Sequence, residues 1–232
     1  MELNYNWDEI LEIFDKLHLE QYLGNPDDVY FNSTILECME DNCPDDWGVD
    51  AGCTKFVIVT PDNYNCIIKI PFNCDGEYED IMPFENAYYP SSNLYGWDYC
   101  RSEMEYYELA VKAGIADLFA KTEYIGEYCG FPVYAQEKCE SISHIKTKKN
   151  IKVPHSPHFE EAKNAINDEL SHVWFCSVNY LALMLDTYGF EKVKKFDNFI
   201  FTHQISDLHD ENYGYKKFTF IPKLFDFSGY GE

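Results

Sequence analysis

Several things are missing from this chain, and each absence removes a class of function. No apolar run approaches the ~20 residues that a membrane-spanning helix needs. The opening Met1-Glu-Leu-Asn-Tyr-Asn-Trp-Asp-Glu9 lacks the basic start and apolar stretch of a secretory signal. A soluble, cytoplasmic protein with no membrane partner is expected. Basic residues are few, 18 Lys and Arg against 41 Asp and Glu, for a formal net charge of −23. The deficit is uneven: residues 1–100 hold 3 basic and 21 acidic side chains, and residues 101–232 hold 15 and 20. A field of that sign repels a phosphate backbone, so no nucleic-acid partner is expected. Paired metal-binding cysteines are missing too. The nine cysteines include no Cys-x-x-Cys, and Cys38 with Cys43 has no second pair. That argues against a zinc module or a disulfide framework and for buried free thiols.

What is present supports a folded core: 232 residues, 46% hydrophobic and 17% aromatic, are enough to bury one. Ile10, Leu11, Phe14 and Leu17 fall at helical spacing, and Asn32 or Ser33 can cap a second helix running through Met39. Residues 41–52 then turn polar and glycine-bearing. Two strand-like runs, 55–60 and 65–72, flank the turn chemistry of Pro61-Asp-Asn-Tyr64. Residues 73–98 read as a long acidic loop, and a helix runs from Tyr99 toward Gly114. A second hairpin, 122–128 with 131–136, turns at Cys129-Gly130.

Residues 141–157, with Lys146, Lys148, Lys149 and Lys152 and prolines at 154 and 157, read as an exposed connector. Helices are expected over 158–170 and 171–188, with Gly189 as the stop, and a further turn or two over 191–196 before Phe199-Ile-Phe201. The sum is an α+β chain: a helical extension over 1–45, a β-rich part over 46–136, and a helix-rich part over 137–232.

Near its end the chain reads Ile205-Ser-Asp-Leu-His-Asp-Glu-Asn212, and beyond that Asp226-Phe-Ser-Gly229. An Asp followed five residues on by an Asn, then a second Asp in an apolar strand, suits phosphoryl transfer. One acid orients a hydroxyl, while an amide oxygen and a carboxylate hold magnesium. Upstream lie, in order, the turn Gly48-Val-Asp-Ala-Gly52, Lys69 within an isoleucine-rich strand, a helix carrying Glu103 and Glu105, and the connector around Glu137. This order of elements resembles the protein kinase-like superfamily. The Asp207-Leu-His209 string is similar to its aminoglycoside phosphotransferase and choline kinase branch. The resemblance runs from about Gly48 to Gly229.

The resemblance implies a two-lobe kinase-like fold, with a β-rich lobe, a minimal helical lobe and the N-terminal helices as an extension. It implies ATP and Mg2+ as cofactors and an unidentified hydroxyl-bearing substrate or protein as the other partner. Lys69 would hold the α- and β-phosphates, fixed by a helix carboxylate, Glu103 by its spacing to Tyr107, with Glu105 as the alternative. Asp207 would orient the attacking hydroxyl, and Asn212 and Asp226 would hold the metal. Gly48 and Gly52 would cradle phosphate, and backbone groups of Glu137, Lys138 and Cys139 would meet the purine edge. His209 is expected to brace its loop by hydrogen bonds.

Three departures are plain. The glycine-bearing turn has only two glycines and brings Asp46 and Asp50 toward the expected phosphates. Ser228 stands where protein kinases have glycine. The sequence stops three residues after Gly229, where protein kinases continue into an activation segment and substrate-carrying helices. Two readings therefore stand side by side: a phosphotransferase, and a pseudokinase that binds nucleotide or protein without turnover.

Overall fold

A computed structural model describes residues 2–24, 33–52, 54–72, 74, 98–148, 152–173, 176–206 and 208–229. The chain divides into two compact units, Met1–Met104 with Thr122–Gln136, and Glu105–Lys121 with Glu137–Glu232. The α+β class holds, with seven α-helices among the described residues and a five-stranded sheet as the largest. Residues 1–45, read from the sequence as a separate extension, group with the sheet in the first unit. The expected loop at 73–98 lies almost wholly outside the described residues.

In the first unit the leading helix α1 spans Trp7–Leu17, with Asn6 accepting from the Asp8 and Glu9 amides at its start. Ile10, Ile13, Phe14 and Leu17 are its buried face. The helix α2 covers Ser33–Asn42. Strands β1 (Gly48–Ala51), β2 (Lys55–Val59), β3 (Cys66–Pro71), β4 (Thr122–Tyr128) and β5 (Phe131–Glu137) form a sheet in the order β1-β2-β3-β5-β4. The 48–52 segment, expected as a phosphate-cradling turn, is therefore a strand: Gly48 pairs with Val59 and Ala51 with Phe56. The Gly48 backbone is spent on the ladder, not on a nest of amides.

Strand alternation gives this sheet two unlike faces. Phe56, Ile58, Ile68, Ile70, Val133 and Ala135 join the α1 residues in one apolar core, each almost wholly buried. Burying each of these larger side chains contributes about 1.5–3 kcal/mol. The opposite face carries Lys55, Lys69 and Gln136, and these are buried as well. Cover for polar groups comes from the helix α3 (Tyr99–Ala113), whose start Asp98 caps by accepting from the Arg101 amide at 3.0 Å. Burial raises the Asp98 pKa despite the opposing hydrogen bonds from Tyr134 and the backbone.

The second unit contains β6 (Cys139–Ser141) and the helices α4 (Ile142–Thr147), α5 (Phe159–Asp168), α6 (Val178–Tyr188) and α7 (Phe190–Thr202). Short strands β7 (Ile205–Ser206) and β10 (Ser228–Gly229) pair with each other, and β6, β8 (Tyr213–Lys216) and β9 (Pro222–Leu224) form a second small sheet. Its core gathers Leu181, Met184, Phe196, Ile200, Tyr213 and Phe227 among others.

Two sequence expectations are corrected here. The 141–157 stretch is not simply an exposed connector: it opens with a strand residue and a six-residue helix capped by Ser141. Lys146 is paired with Asp210, and Lys148 with Glu140 at 3.0 Å. Nor is 171–188 one helix. Ser177 caps α6 through the Tyr180 amide, and the segment before it is held open by Asp197, whose carboxylate accepts from the His172 and Val173 amides at 2.7 and 2.9 Å. Gly189, at φ 78°, ends α6 and begins α7, which runs without a break through Phe199.

Candidate functional site

The polar groups of the first unit converge on one carboxylate. Lys69, mid-strand in β3, is placed by the register Val57↔Lys69 on the face away from the apolar core. Its ammonium donates to Glu103 Oε2 at 2.7 Å, and Gln136 Nε2 donates to the same oxygen at 2.9 Å. The second oxygen, Oε1, accepts from Lys55 Nζ at 2.8 Å. Glu103 is wholly buried and Lys69 is 2% exposed, whereas Glu105 lies on the exposed side of α3. Glu103 is thus the partner of Lys69, and the alternative falls away.

Gln136 reaches Thr122 Oγ1 as well, at 2.9 Å, so both its amide hydrogens are engaged. Its Oε1 is buried with no hydrogen-bond partner among the described residues. A buried acceptor left without a donor is expensive, and such atoms ask for an explanation.

Lys55 and Gln136 were missed in the sequence. The signal for Lys55 was available: once 55–60 and 65–72 are read as a hairpin, two residues of register separate it from Lys69 on the same face. Nothing comparable marked Gln136. Of the two glycines expected to cradle phosphate, Gly48 is laddered, and Gly52 begins the tight turn into β2, its amide donating to Lys55 O at 3.0 Å. A β-carbon at Gly52 would meet nothing within 4 Å, so the backbone there does not require glycine.

In the second unit, the β8–β9 hairpin brings the two expected metal ligands side by side. Tyr213 pairs with Leu224, and one step beyond that pair the Asn212 carbonyl accepts from the Phe225 and Asp226 amides at 3.1 and 3.2 Å. Asn212 is 6% exposed and Asp226 half-buried. Asp207 lies outside the described residues. Its neighbour Ser206 pairs with Ser228, two residues past Asp226, in the β7–β10 ribbon. His209 braces the intervening turn: its carbonyl accepts from the Asn212 amide at 2.8 Å and its Nδ1 from the Glu211 amide at 3.3 Å. Among the described residues no group of three or more His, Cys, Asp and Glu side chains assembles.

The expected purine-contacting segment is partly committed elsewhere. The Glu137 carboxylate is shared by Lys216 at 2.7 Å and Lys223 at 3.1 Å, and its amide donates to Lys121 O at 2.8 Å. Burial would raise the Glu137 pKa, but the Lys223 charge and the Lys216 hydrogen bond outweigh it and hold the group below its usual range. The Lys138 carbonyl accepts from the Lys217 amide at 2.9 Å. Lys138 and Lys217 are therefore a hydrogen-bonded pair, and alternation makes the next pair, Cys139↔Lys216, a non-bonded one. The Cys139 amide and carbonyl point away from β8. Among the described residues β6 is the edge of its sheet.

Comparison with known proteins gives no identity. The chain matches no protein-family model, no curated protein and no solved structure. No helix among the described residues is long and apolar enough to cross a membrane.

Proposed function

We propose that the protein is a kinase-like phosphotransferase that binds MgATP and moves the γ-phosphoryl group to a hydroxyl acceptor. The observation that carries the reading is the buried ion pair between strand lysine Lys69 and helix carboxylate Glu103. Structural salt bridges are ordinarily solvated and contribute little. Holding one inside a buried sheet–helix layer costs desolvation that packing alone does not require, which favours a functional use. In this reading Glu103 fixes the lysine, and Lys69 supplies a point charge to the phosphates.

Three further observations support it. Asn212 and Asp226 offer an amide oxygen and a carboxylate locked together through one backbone carbonyl, and hard oxygens of this kind suit magnesium. Magnesium, when bound, would neutralise charge on the phosphates. The Ser206–Ser228 pairing tethers the chain beside Asp207 to the chain beside Asp226. The strand β6, which carries Cys139, is at the edge of its sheet among the described residues, the position this reading gives to the purine-contacting connector.

One observation favours the second reading, a pseudokinase that binds without turnover. The turn between β1 and β2 is closed by the Gly52–Lys55 hydrogen bond, leaving little backbone to wrap phosphate, and Asp50 in β1 is exposed. Phosphoryl transfer rests on positioning and charge stabilisation, and a short turn weakens the first.

Thermal melting with and without MgATP tests the proposal. Ligand at 100 times its dissociation constant adds roughly 2.7 kcal/mol of stability. A shift abolished by Lys69→Ala and by Asp226→Ala, together with ATP hydrolysis abolished by Asp207→Ala, is expected of the enzyme. A shift with no turnover supports the binder. No shift at millimolar MgATP refutes the enzyme and the nucleotide-binding form of the second reading, and leaves only binding of another protein.

A further inference from the structure

One residue of the second unit ties the turn that carries Asn212 to a separate helix. The Asp210 carbonyl accepts from the Ser143 amide at 3.0 Å, an amide in the first turn of α4 that the helix itself cannot satisfy. The Asp210 carboxylate accepts from the Tyr213 hydroxyl at 2.7 Å through Oδ1 and pairs with the Lys146 ammonium through Oδ2. Ser143 and Lys146 stand three residues apart, so one face of α4 supplies both donors. The hydrogen bonds from Lys146 and Tyr213 hold the Asp210 pKa below its usual 3.8. The side chain is therefore charged at neutral pH.

The other side of α4 is anchored. Ile142 and Ile145 are buried in the core of this unit. The strand β6 that leads into the helix lies so close to β8 that a β-carbon on Gly214 would fall 2.0 Å from the Glu140 carbonyl oxygen. Only glycine lets the two strands meet there. With α4 fixed in this way, Asp210 binds the turn to it at two places, by carbonyl and by carboxylate. The Lys146 and Asp210 side chains are 63% and 43% exposed, so their pair contributes little to folding. What it constrains is position.

We infer that Asp210, held by Lys146 of α4, is a positioning residue for the metal side of the proposed site, fixing the turn so that Asn212 presents its amide oxygen in one place. The inference rests on the proposed MgATP binding and adds to it a pair of residues that touches neither nucleotide nor metal. Magnesium demands near-ideal octahedral geometry, and a ligand held looser than about 0.5 Å serves it poorly. Asn212 sits two residues beyond Asp210, with its own amide bonded back to the His209 carbonyl at 2.8 Å. Whatever fixes Asp210 therefore fixes the turn from which Asn212 projects.

The test is calorimetry of ATP binding over a series of MgCl2 concentrations at matched ionic strength, which gives the magnesium concentration that half-saturates the effect. Lys146→Met should raise that concentration about three- to fivefold and Asp210→Ala about tenfold, with ATP affinity in the absence of magnesium within about twofold of wild type. Asp210→Asn, which still offers an acceptor, should fall between wild type and Asp210→Ala. The double variant Lys146→Met with Asp210→Ala should match Asp210→Ala alone, because the pair forms one link. Lys148→Met is the control: it removes a pair from the end of the same helix that reaches Glu140 on β6, and should leave the magnesium response unchanged. An exposed pair is dispensable for folding, so Lys146→Met should melt within about 2 °C of wild type. A magnesium response equal to wild type in both Lys146→Met and Asp210→Ala overturns the inference and leaves the nucleotide reading standing. A loss that weakens ATP equally with and without magnesium, as general loosening would, overturns it too. Wild-type ATP binding that ignores magnesium removes the inference together with the metal assignment, and no ATP binding at all removes the whole reading.

Discussion

At the scale of single residues, the chain's most demanding position is Glu103. Its two oxygens serve Lys55, Lys69 and Gln136, all buried. Glu103→Ala removes the carboxylate that both ammonium groups share, and breaking a buried pair in this way costs about 3–5 kcal/mol. Urea denaturation should show the midpoint falling by that equivalent; a midpoint within error of wild type would mean that the ammonium groups relax at no cost to an environment as good. The Lys69–Glu103 pairing was named through the resemblance, Lys69 as a cation within an isoleucine strand and Glu103 by its spacing to Tyr107, and the residues alone left Glu105 as an alternative. Lys55, at a strand's first position, broke no local pattern, and only the hairpin register exposes it. A second residue-scale prediction concerns Gly126, which sits at the irregularity in the β4–β5 ladder. A β-carbon there would lie 2.7 and 2.9 Å from ring carbons of Trp7. Gly126→Ala should therefore cost about 1–3 kcal/mol, as other overpacked contacts do. A double-mutant cycle with Trp7→Leu should recover part of the loss, and strictly additive losses would place the strain elsewhere.

At the scale of elements, strands and hairpin turns were read well because alternation and the Cys129-Gly130 turn are local signals. Helix boundaries were read poorly wherever a distant side chain decides them. The 171–188 stretch is rich in Val, Trp, Phe, Leu and Met, and nothing in its sequence forbids a single helix. What opens the segment is Asp197, two helices away in sequence, accepting two of its amides while itself 3% exposed. Asp197→Ala leaves those amides without their acceptor. It should destabilise the chain by about 2–3 kcal/mol, and amide exchange should rise first at His172 and Val173. The α5–α6 pair carries a pH signature. His158, at the start of α5, is hydrogen-bonded to Asp186 on α6; that bond and the Asp186 charge raise the His158 pKa above its usual 6.5, with Glu161 adding to the effect. Burial would raise the Asp186 pKa, but hydrogen bonds from Ser156 and His158 outweigh it and lower it below 3.8. A raised histidine stabilises fully below pH 6.5 and ceases to as pH climbs through its folded value; a lowered carboxylate stabilises above 3.8 and ceases to as pH drops through its folded value. The difference in melting temperature between wild type and His158→Gln should thus be largest between those limits and shrink above neutrality. A difference that keeps growing as pH rises above neutrality would contradict the assignment.

At the scale of the whole molecule, charge outweighs any single contact. The excess of 23 negative charges opposes compaction at neutral pH. Against it stand exposed pairs such as Lys192–Asp117 at 2.7 Å and Lys194–Glu169 at 3.0 Å, each worth little in water. Screening weakens both repulsion and attraction, so the sign of the salt effect reveals which dominates. Raising NaCl from about 10 mM to about 150 mM shortens the Debye length from roughly 30 Å to roughly 8 Å. Because repulsion is summed over the whole excess while each surface pair is local, the melting temperature should rise with salt, and equally with KCl. A flat or falling curve would mean that the paired charges outweigh the net excess. The same reasoning governs how nucleotide binding must be read. Divalent magnesium screens an acidic surface strongly, so MgCl2 alone should raise the melting temperature. Only the additional shift given by ATP over MgCl2 at matched ionic strength reports the proposed nucleotide binding. That increment should vanish in Lys69→Ala, whereas the response to MgCl2 alone should remain.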